Sequence, residues 1–377
     1  MKTLHTQTER RPHVLLVMAS RRDGESAQLV RERFLETVDR TPDAYGLLID
    51  RTTSGVVWSP QGHRVVQDIS RRFTVVRQGN AAPLSAGWKV LAGMPADWIM
   101  QFHDDDTWDG VPAIPSTPDT AVALYAPRLV VSDGTNEWLA HQWTTQHALF
   151  GAIRGDVFAI IARYLANAPN PWGGEDLMIL SFTGALGRIE QMSGYSYVWH
   201  RGNWTSQTSE TSTHQYLAAQ GWGHLSSLST YLLLQSLDRL AIFGAAHEVP
   251  DPIWLSGVDD VLGTFWPVID PRGHRILSQL PPRLRGAMIA SRGTGSGSRR
   301  VVEFLRNVPG SVAEVHPADS FTAFATGQRL VRSPEDVFER LIPALTREAP
   351  VEAYPQIEYW AQCITKVWDR YSQVSRA

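Results

Sequence analysis

The chain has 377 residues, 43% of them hydrophobic, enough for a sizeable core and more than one small domain needs. Lys and Arg total 35 against 38 Asp and Glu, a formal net charge of -3, which excludes a general attraction to polyanions and leaves nucleic acid to a local basic patch. The single cysteine, Cys363, excludes an internal disulfide and any cysteine-built zinc site.

In chain order, Met1 to Pro12 is polar and lacks the apolar run of a signal peptide. No stretch approaches the roughly 18 apolar residues of a membrane span, so a cytoplasmic location is expected. His13 to Ala19 is a continuous apolar run, as a strand buried on both faces requires. Ser26 to Val38 reads as an amphipathic helix with Leu29, Phe34 and Leu35 facing inward. Strands follow at Tyr45 to Ile49, Phe73 to Val76 and Trp98 to Phe102, with a short helix at Ser85 to Leu91. Strands separated by helices imply βαβ crossovers and a mostly parallel, Rossmann-like sheet, whose ligands bind beyond the carboxyl ends of the strands.

Further strands are expected at Ala121 to Val131 and Ala148 to Ile153, then a helix at Asp156 to Ala166. Pro169 to Gly174 is a loop that opens into a helix at Glu175 to Gly184, and Ile189 to His200 is another strand. A long apolar helix covers Leu225 to Phe243 before Pro250 and Pro252 break the pattern. The remainder reads mainly as helices, with Ser333-Pro-Glu-Asp336 as a helix start and Tyr359 to Val374 as the last helix. The expected class is α/β with a C-terminal, mainly helical extension, divided into residues 1–248 and 249–377.

The chemistry concentrates where the fourth strand ends, at Asp104-Asp105-Asp106. Three adjacent carboxylates repel one another, and their place at a strand's carboxyl end is tolerable when a cation shares them. Mg²⁺ or Mn²⁺ takes carboxylate oxygens and keeps positions open for phosphate. The D-x-D spacing turns Asp104 and Asp106 to one side, where both can reach one ion. An aspartyl-phosphate phosphatase would need Thr or Val at position 108, where Trp108 stands.

The run Arg77-Gln-Gly-Asn80, then Ser85 to Lys89, then Ala96 to Asp106 resembles the core of glycosyltransferase family 2 and its GT-A relatives, over roughly residues 12 to 205. The resemblance implies a GT-A fold and a D-x-D that holds Mn²⁺ or Mg²⁺ against the diphosphate of a nucleotide-sugar donor, with a UDP-sugar foremost. Asp106 is then the direct metal ligand, and Asp104 contacts the metal or the ribose. Asp105 lies on the donor side, as does Asn80 in its turn. Asp50, after the second strand, reads the nucleotide base. At the first strand the family's Pro and Tyr-Asn pair are replaced by Ala19-Ser-Arg-Arg22, where Arg21 or Arg22 can meet phosphate.

Glu175-Asp176 resembles the family's second acidic motif. An inverting transfer needs a general base for the acceptor hydroxyl, a role the resemblance gives to Asp176, with Glu175 placing the acceptor or the base. The plain alternative is that acidic residues favour a helix's first turn. The resemblance also makes His200 a third metal ligand, against the ordinary structural role of a lone histidine. Trp172, Trp199 and Trp204 offer faces for sugar stacking or simple packing.

Two other readings compete. A nucleotidyltransferase on sugar phosphates would carry a Gly-rich signature and a Lys after the first strand, which Ser20 to Gly24 lacks. A non-catalytic nucleotide-sugar-binding protein would not need both acidic motifs. The acceptor is left open among a glycan, a lipid carrier, a small molecule and modified DNA. The stretch holding Arg283, Arg285, Arg292, Arg299 and Arg300 is a basic surface for an anionic acceptor or a solvated face. Residues 249–377 would shape the acceptor site or a homodimer contact.

Overall fold

The computed structural model describes residues 13–115, 119–132, 134–140, 145–169, 175–200, 228–246, 249–258, 261, 335 and 337–374. The basic and aromatic candidates at Trp172, Trp204 and Arg283 to Arg300, the expected boundary at 248 and most of the 333–336 helix start lie outside them. The class is the expected one: α/β, with helices throughout the described C-terminal residues. Two compact units divide the chain, one of Met1–Ala140, Leu149–Ala166 and Arg188–His200, the other of His141–Ala148, Asn167–Gly187 and Arg201–Ala377.

The first unit is built on a nine-stranded sheet in the order β3-β2-β1-β4-β8-β6-β9-β5, with β7 (Glu137–Leu139) on β6. β1 (Val14–Ser20), β2 (Ala44–Asp50), β3 (Phe73–Arg77) and β4 (Trp98–His103) are mutually parallel. Their crossovers carry α1 (Glu25–Arg40), α2 (Pro60–Asp68) and α3 (Leu84–Ala92). Beyond β4 the sheet becomes mixed. β8 (Ala152–Arg154) runs antiparallel to β4 and to β6 (Val122–Ser132), β9 (Arg188–His200) is parallel to β6, and β5 (Thr107–Asp109) is antiparallel to β9. The order 3-2-1-4 is that of a mononucleotide-binding half, whose direction of growth reverses between β1 and β4.

β1 is apolar from Val14 to Met18 because neighbours flank it and helices cover it, and each of those side chains is at most 2% exposed. Large side chains buried to this degree, such as Trp98, Phe34 and Phe102, each contribute on the order of 2 kcal/mol. In α1 the inward positions are Ala27, Arg31, Phe34, Leu35 and Val38, the helical spacing of one stripe. Leu29 does not join them: it lies well off that stripe and is 62% exposed. Gly46 is required on β2, since a Cβ there would come within 2.7 Å of Phe73 and Val38 side chains.

Two further expectations are corrected locally. Ala148 to Ile153 is not one strand: α4 (Thr145–Leu149) ends before Gly151, and only Ala152–Arg154 is extended before α5 (Gly155–Asn167) begins. The last helix starts earlier than Tyr359, at Tyr354, and runs to Val374.

In the second unit, α6 (Glu175–Leu186) packs on the helix Leu228–Ala245, which packs on the helix Tyr354–Val374. The last two meet closely at Gly244, where a Cβ would stand 1.9 Å from the Cys363 carbonyl oxygen. Buried Asp238 accepts from Trp360 Nε1 at 2.7 Å and Gln356 Nε2 at 3.3 Å, tying the same pair of helices together. Among the described residues, no helix is long and apolar enough to cross a membrane.

Candidate functional site

Register brings the functional residues to one level. Ser20 pairs with Asp50, Asp50 with Arg77, and Ala19 with His103, so the carboxyl ends of all four parallel strands form one rim. Asp104-Asp105-Asp106 turns the chain there between β4 and β5.

The three carboxylates have different surroundings. Asp104, 7% exposed, accepts at Oδ2 from Ser20 Oγ at 2.9 Å and from the backbone N–H groups of Arg21 at 2.8 Å and Arg22 at 2.9 Å. These charge-assisted bonds fix the loop after β1 across the point where the strand order reverses. Arg31, buried on α1, braces the same loop by donating to Ser20 Oγ and to the Arg22 carbonyl. Asp105 pairs with Arg22 Nη2 at 2.6 Å.

Asp106 is 1% exposed and accepts from Tyr197 Oη at 3.2 Å and from the His200 backbone N–H at 3.3 Å. Burial, with the neighbouring Asp105 charge second, pushes its carboxyl from 3.8 up to about 7, against the pull of those two donors and Arg22. Burial also raises the Tyr197 phenol, so its O–H keeps its proton and remains a donor. The Tyr197 ring stacks on Phe150 at 3.9 Å, and His103 meets Phe150 edge-on at 4.9 Å, so an aromatic layer backs the carboxylates.

His103, Asp105 and Asp106 converge: one ligand atom from each lies within 4.8 Å of the other two. His103 Nδ1 is 3.8 Å from Asp106 Oδ2. Two carboxylate oxygens and one imidazole nitrogen form a donor set that suits a divalent ion of the Mn²⁺ type. Of the metal ligands read from sequence, Asp106 belongs to this group. Asp104 and His200 do not: Asp104 spends Oδ2 on the β1 loop, and the His200 ring engages Thr107 Oγ1 at 3.1 Å. Asp105, expected on the donor side, also belongs to this group.

On the other side of β1, Asp50 is buried. It accepts from Thr52 N–H at 3.0 Å and Thr52 Oγ1 at 2.6 Å, from Val56 N–H at 3.3 Å, and from Arg77 Nη1. Burial alone would raise this carboxyl, but the Thr52 bonds and the Arg77 charge together hold it below the usual range. The turn after β3 is anchored to the same strand end, with Gln78 and Gly79 N–H groups donating to the Asp50 carbonyl. Asn80 is exposed in that turn, and Arg21 is exposed in the loop after β1.

Solved structures of similar fold exist. The chain resembles the mannosyltransferase PcManGT from Pyrobaculum calidifontis, solved with GDP-Man and Mn²⁺, at 11% identity and a TM-score of 0.38 over 96% of this chain and 89% of that one. It resembles S. aureus TarS 1–349 at 11% identity and a TM-score of 0.36 over 81% and 97% of the two chains. It resembles GalNAc-T7, solved with UDP, GalNAc and Mn²⁺, at 12% identity and a TM-score of 0.38 over 82% and 59%. No protein-family model matches the chain, and no curated protein matches it in sequence. Overlaps of this size leave the chemistry to be read from the chain's own residues.

The helix α6 begins at Glu175, as expected, within the second unit, while the Glu175 and Asp176 side chains lie outside the described residues. Trp199 packs partly buried against the first unit's core, the ordinary role of a tryptophan. Sequence reasoning missed His103 and Tyr197. The first carries a local signal, a histidine directly before three aspartates. The second lies 91 residues from Asp106 and reaches it through the β5–β9 pairing.

Proposed function

We propose that this chain is a metal-dependent glycosyltransferase of the GT-A type, moving a sugar from a nucleoside diphosphate donor to an acceptor hydroxyl. One observation carries the reading: a carboxylate and imidazole cluster stands at the carboxyl ends of parallel strands, where the order 3-2-1-4 reverses. That is where open α/β sheets bind nucleotides.

Asp106, Asp105 and His103 would hold Mn²⁺ or Mg²⁺, and the bound ion supplies charge neutralisation to the departing diphosphate. The chain's own groups do the rest. Tyr197 and the His200 N–H orient the Asp106 carboxylate, and Asp104 sets the height of the β1 loop so that Arg21 borders the phosphates. Asp50, kept ionised by Thr52 and Arg77, lies on the base side with Asn80, and a UDP-sugar is the foremost donor. Asp176 acts as general base on the acceptor hydroxyl in an inverting transfer, with Glu175 beside it. Residues 1–248 form the donor-binding and catalytic part, and 249–377 serve acceptor or homodimer contacts. The reading places the enzyme in the cytoplasm, with a glycan, lipid carrier or small molecule as acceptor.

A donor screen tests this: melting shifts and donor hydrolysis with UDP-, GDP- and dTDP-sugars, each with Mn²⁺ and with EDTA. A donor at 100 times its Kd should stabilise the protein by about 2.7 kcal/mol, and only when metal is present. Absence of metal-dependent stabilisation by every nucleotide sugar sinks the proposal.

A further inference from the structure

Arg22 is held by its backbone and tethered by its side chain in two different ways. Its N–H donates to Asp104 at 2.9 Å and its carbonyl accepts from Arg31 at 2.8 Å, both buried partners. Its guanidinium reaches across to Asp105 at 2.6 Å, yet the Arg22 side chain is 52% exposed while that of Asp105 is 14% exposed. A pair in contact with water on one side is weak and exchanges readily. The backbone is therefore fixed at the rim while the side chain can turn.

Asp105 also belongs to the group with His103 and Asp106 whose ligand atoms lie within 4.8 Å of one another. A dication drawing on this group needs the Asp105 carboxylate that the guanidinium holds, so the two positive charges compete for it. Adjacent ligands of one octahedral ion at about 2.1 Å stand roughly 3 Å apart. A diphosphate oxygen sharing the ion with Asp105 would thus lie within a small side-chain rotation of Arg22. The guanidinium fork matches phosphate oxygens in the bidentate way it matches a carboxylate.

We propose that Arg22 competes with the divalent cation for Asp105 and, once displaced by it, turns onto the donor's diphosphate. Metal loading and diphosphate capture are then coupled through one side chain. This rests on the donor-binding reading above and adds to it a residue that positions phosphate.

The test is a pair of binding measurements on the full chain. Mn²⁺ alone is titrated and followed by the electron paramagnetic resonance of the free ion, and UDP or GDP is titrated by calorimetry at saturating Mn²⁺. Arg22→Gln should bind Mn²⁺ about three- to tenfold more tightly, because the competing charge is gone. It should bind the nucleoside diphosphate about tenfold more weakly, because a charge-assisted bond is lost. Arg22→Lys keeps the charge and should return Mn²⁺ affinity to within about twofold of wild type, with nucleotide affinity partly restored.

The opposite signs are the signature, since a purely structural role would weaken both. Arg22→Gln that weakens Mn²⁺, or leaves nucleotide affinity unchanged, overturns the inference while wild-type binding keeps the function intact. A wild-type protein that binds neither Mn²⁺ nor nucleoside diphosphate overturns both.

Discussion

Asp106→Asn should stabilise the metal-free protein. A carboxyl pushed from 3.8 up to about 7 by burial and by Asp105 is costly to ionise. At 1.36 kcal/mol per pH unit the gap corresponds to roughly 4 kcal/mol at pH 8. The asparagine amide accepts through one oxygen only, so either Tyr197 Oη or the His200 N–H loses its partner, at about 1 kcal/mol. A net gain of roughly 1–3 kcal/mol remains, which for a unit of this size raises Tm by about 3–10 °C. The pH dependence follows from the raised carboxyl. Its penalty is absent below 3.8, where both folded and unfolded chains are protonated, grows as pH rises toward about 7, and is constant above. Melts of wild type and variant in EDTA from pH 4 to pH 8 should therefore diverge with pH. Mn²⁺ should then raise the wild-type Tm and leave the variant's unchanged. A variant less stable than wild type at pH 8 in EDTA, or a difference that ignores pH, would refute the reasoning.

Asp50→Asn should destabilise the first unit by roughly 1–3 kcal/mol in urea unfolding, since it removes a buried acceptor for Thr52, Val56 and Arg77. The sign is opposite to that of Asp106: the Asp50 carboxyl is held low, so its contribution is present above 3.8 and fades as acid protonates it. Gly244→Ala should cost about 2–3 kcal/mol in the second unit's unfolding, because its Cβ would press on the Cys363 carbonyl and separate two helices. Asp176→Ala should bind donor and Mn²⁺ like wild type in calorimetry and lose transfer in a sugar-release assay; normal turnover would move the base elsewhere.

The parallel half of the first unit was legible because β1, β2 and β4 are largely buried: β1 spells an unbroken apolar run from Val14 to Ala19, β2 is apolar through Ile49, and β4 is interrupted only by Gln101 before His103. The helix Pro60–Asp68 left a weaker trace. Its residues are mostly polar, and its cue is the start, where Ser59 caps the Gly62 N–H at 3.0 Å and Pro60 opens the first turn. Ala148 to Ile153 misled because an apolar run does not say whether it coils or extends, and Gly151 was the divider. Leu29 misled in the other direction: its place is off a stripe that Arg31 completes, and a buried arginine is invisible to a hydrophobic pattern. At the site, the acidic triplet announced itself, whereas the division of labour within it did not. Which carboxylate braces a loop and which faces a cluster depends on Ser20, Arg22 and Tyr197, supplied by β1, the loop after it and β9, 83 to 91 residues away.

β1 works as a ruler for the molecule. Hydrogen-bonded in register to β2 on one side and β4 on the other, it sets how far each loop projects above the sheet. Lengthening it by one residue would lift Ser20 away from Asp50 and Asp104 together. The number of residues before Ser20 is therefore set by the site, since Ser20 meets Asp50 and Asp104 only at this strand length.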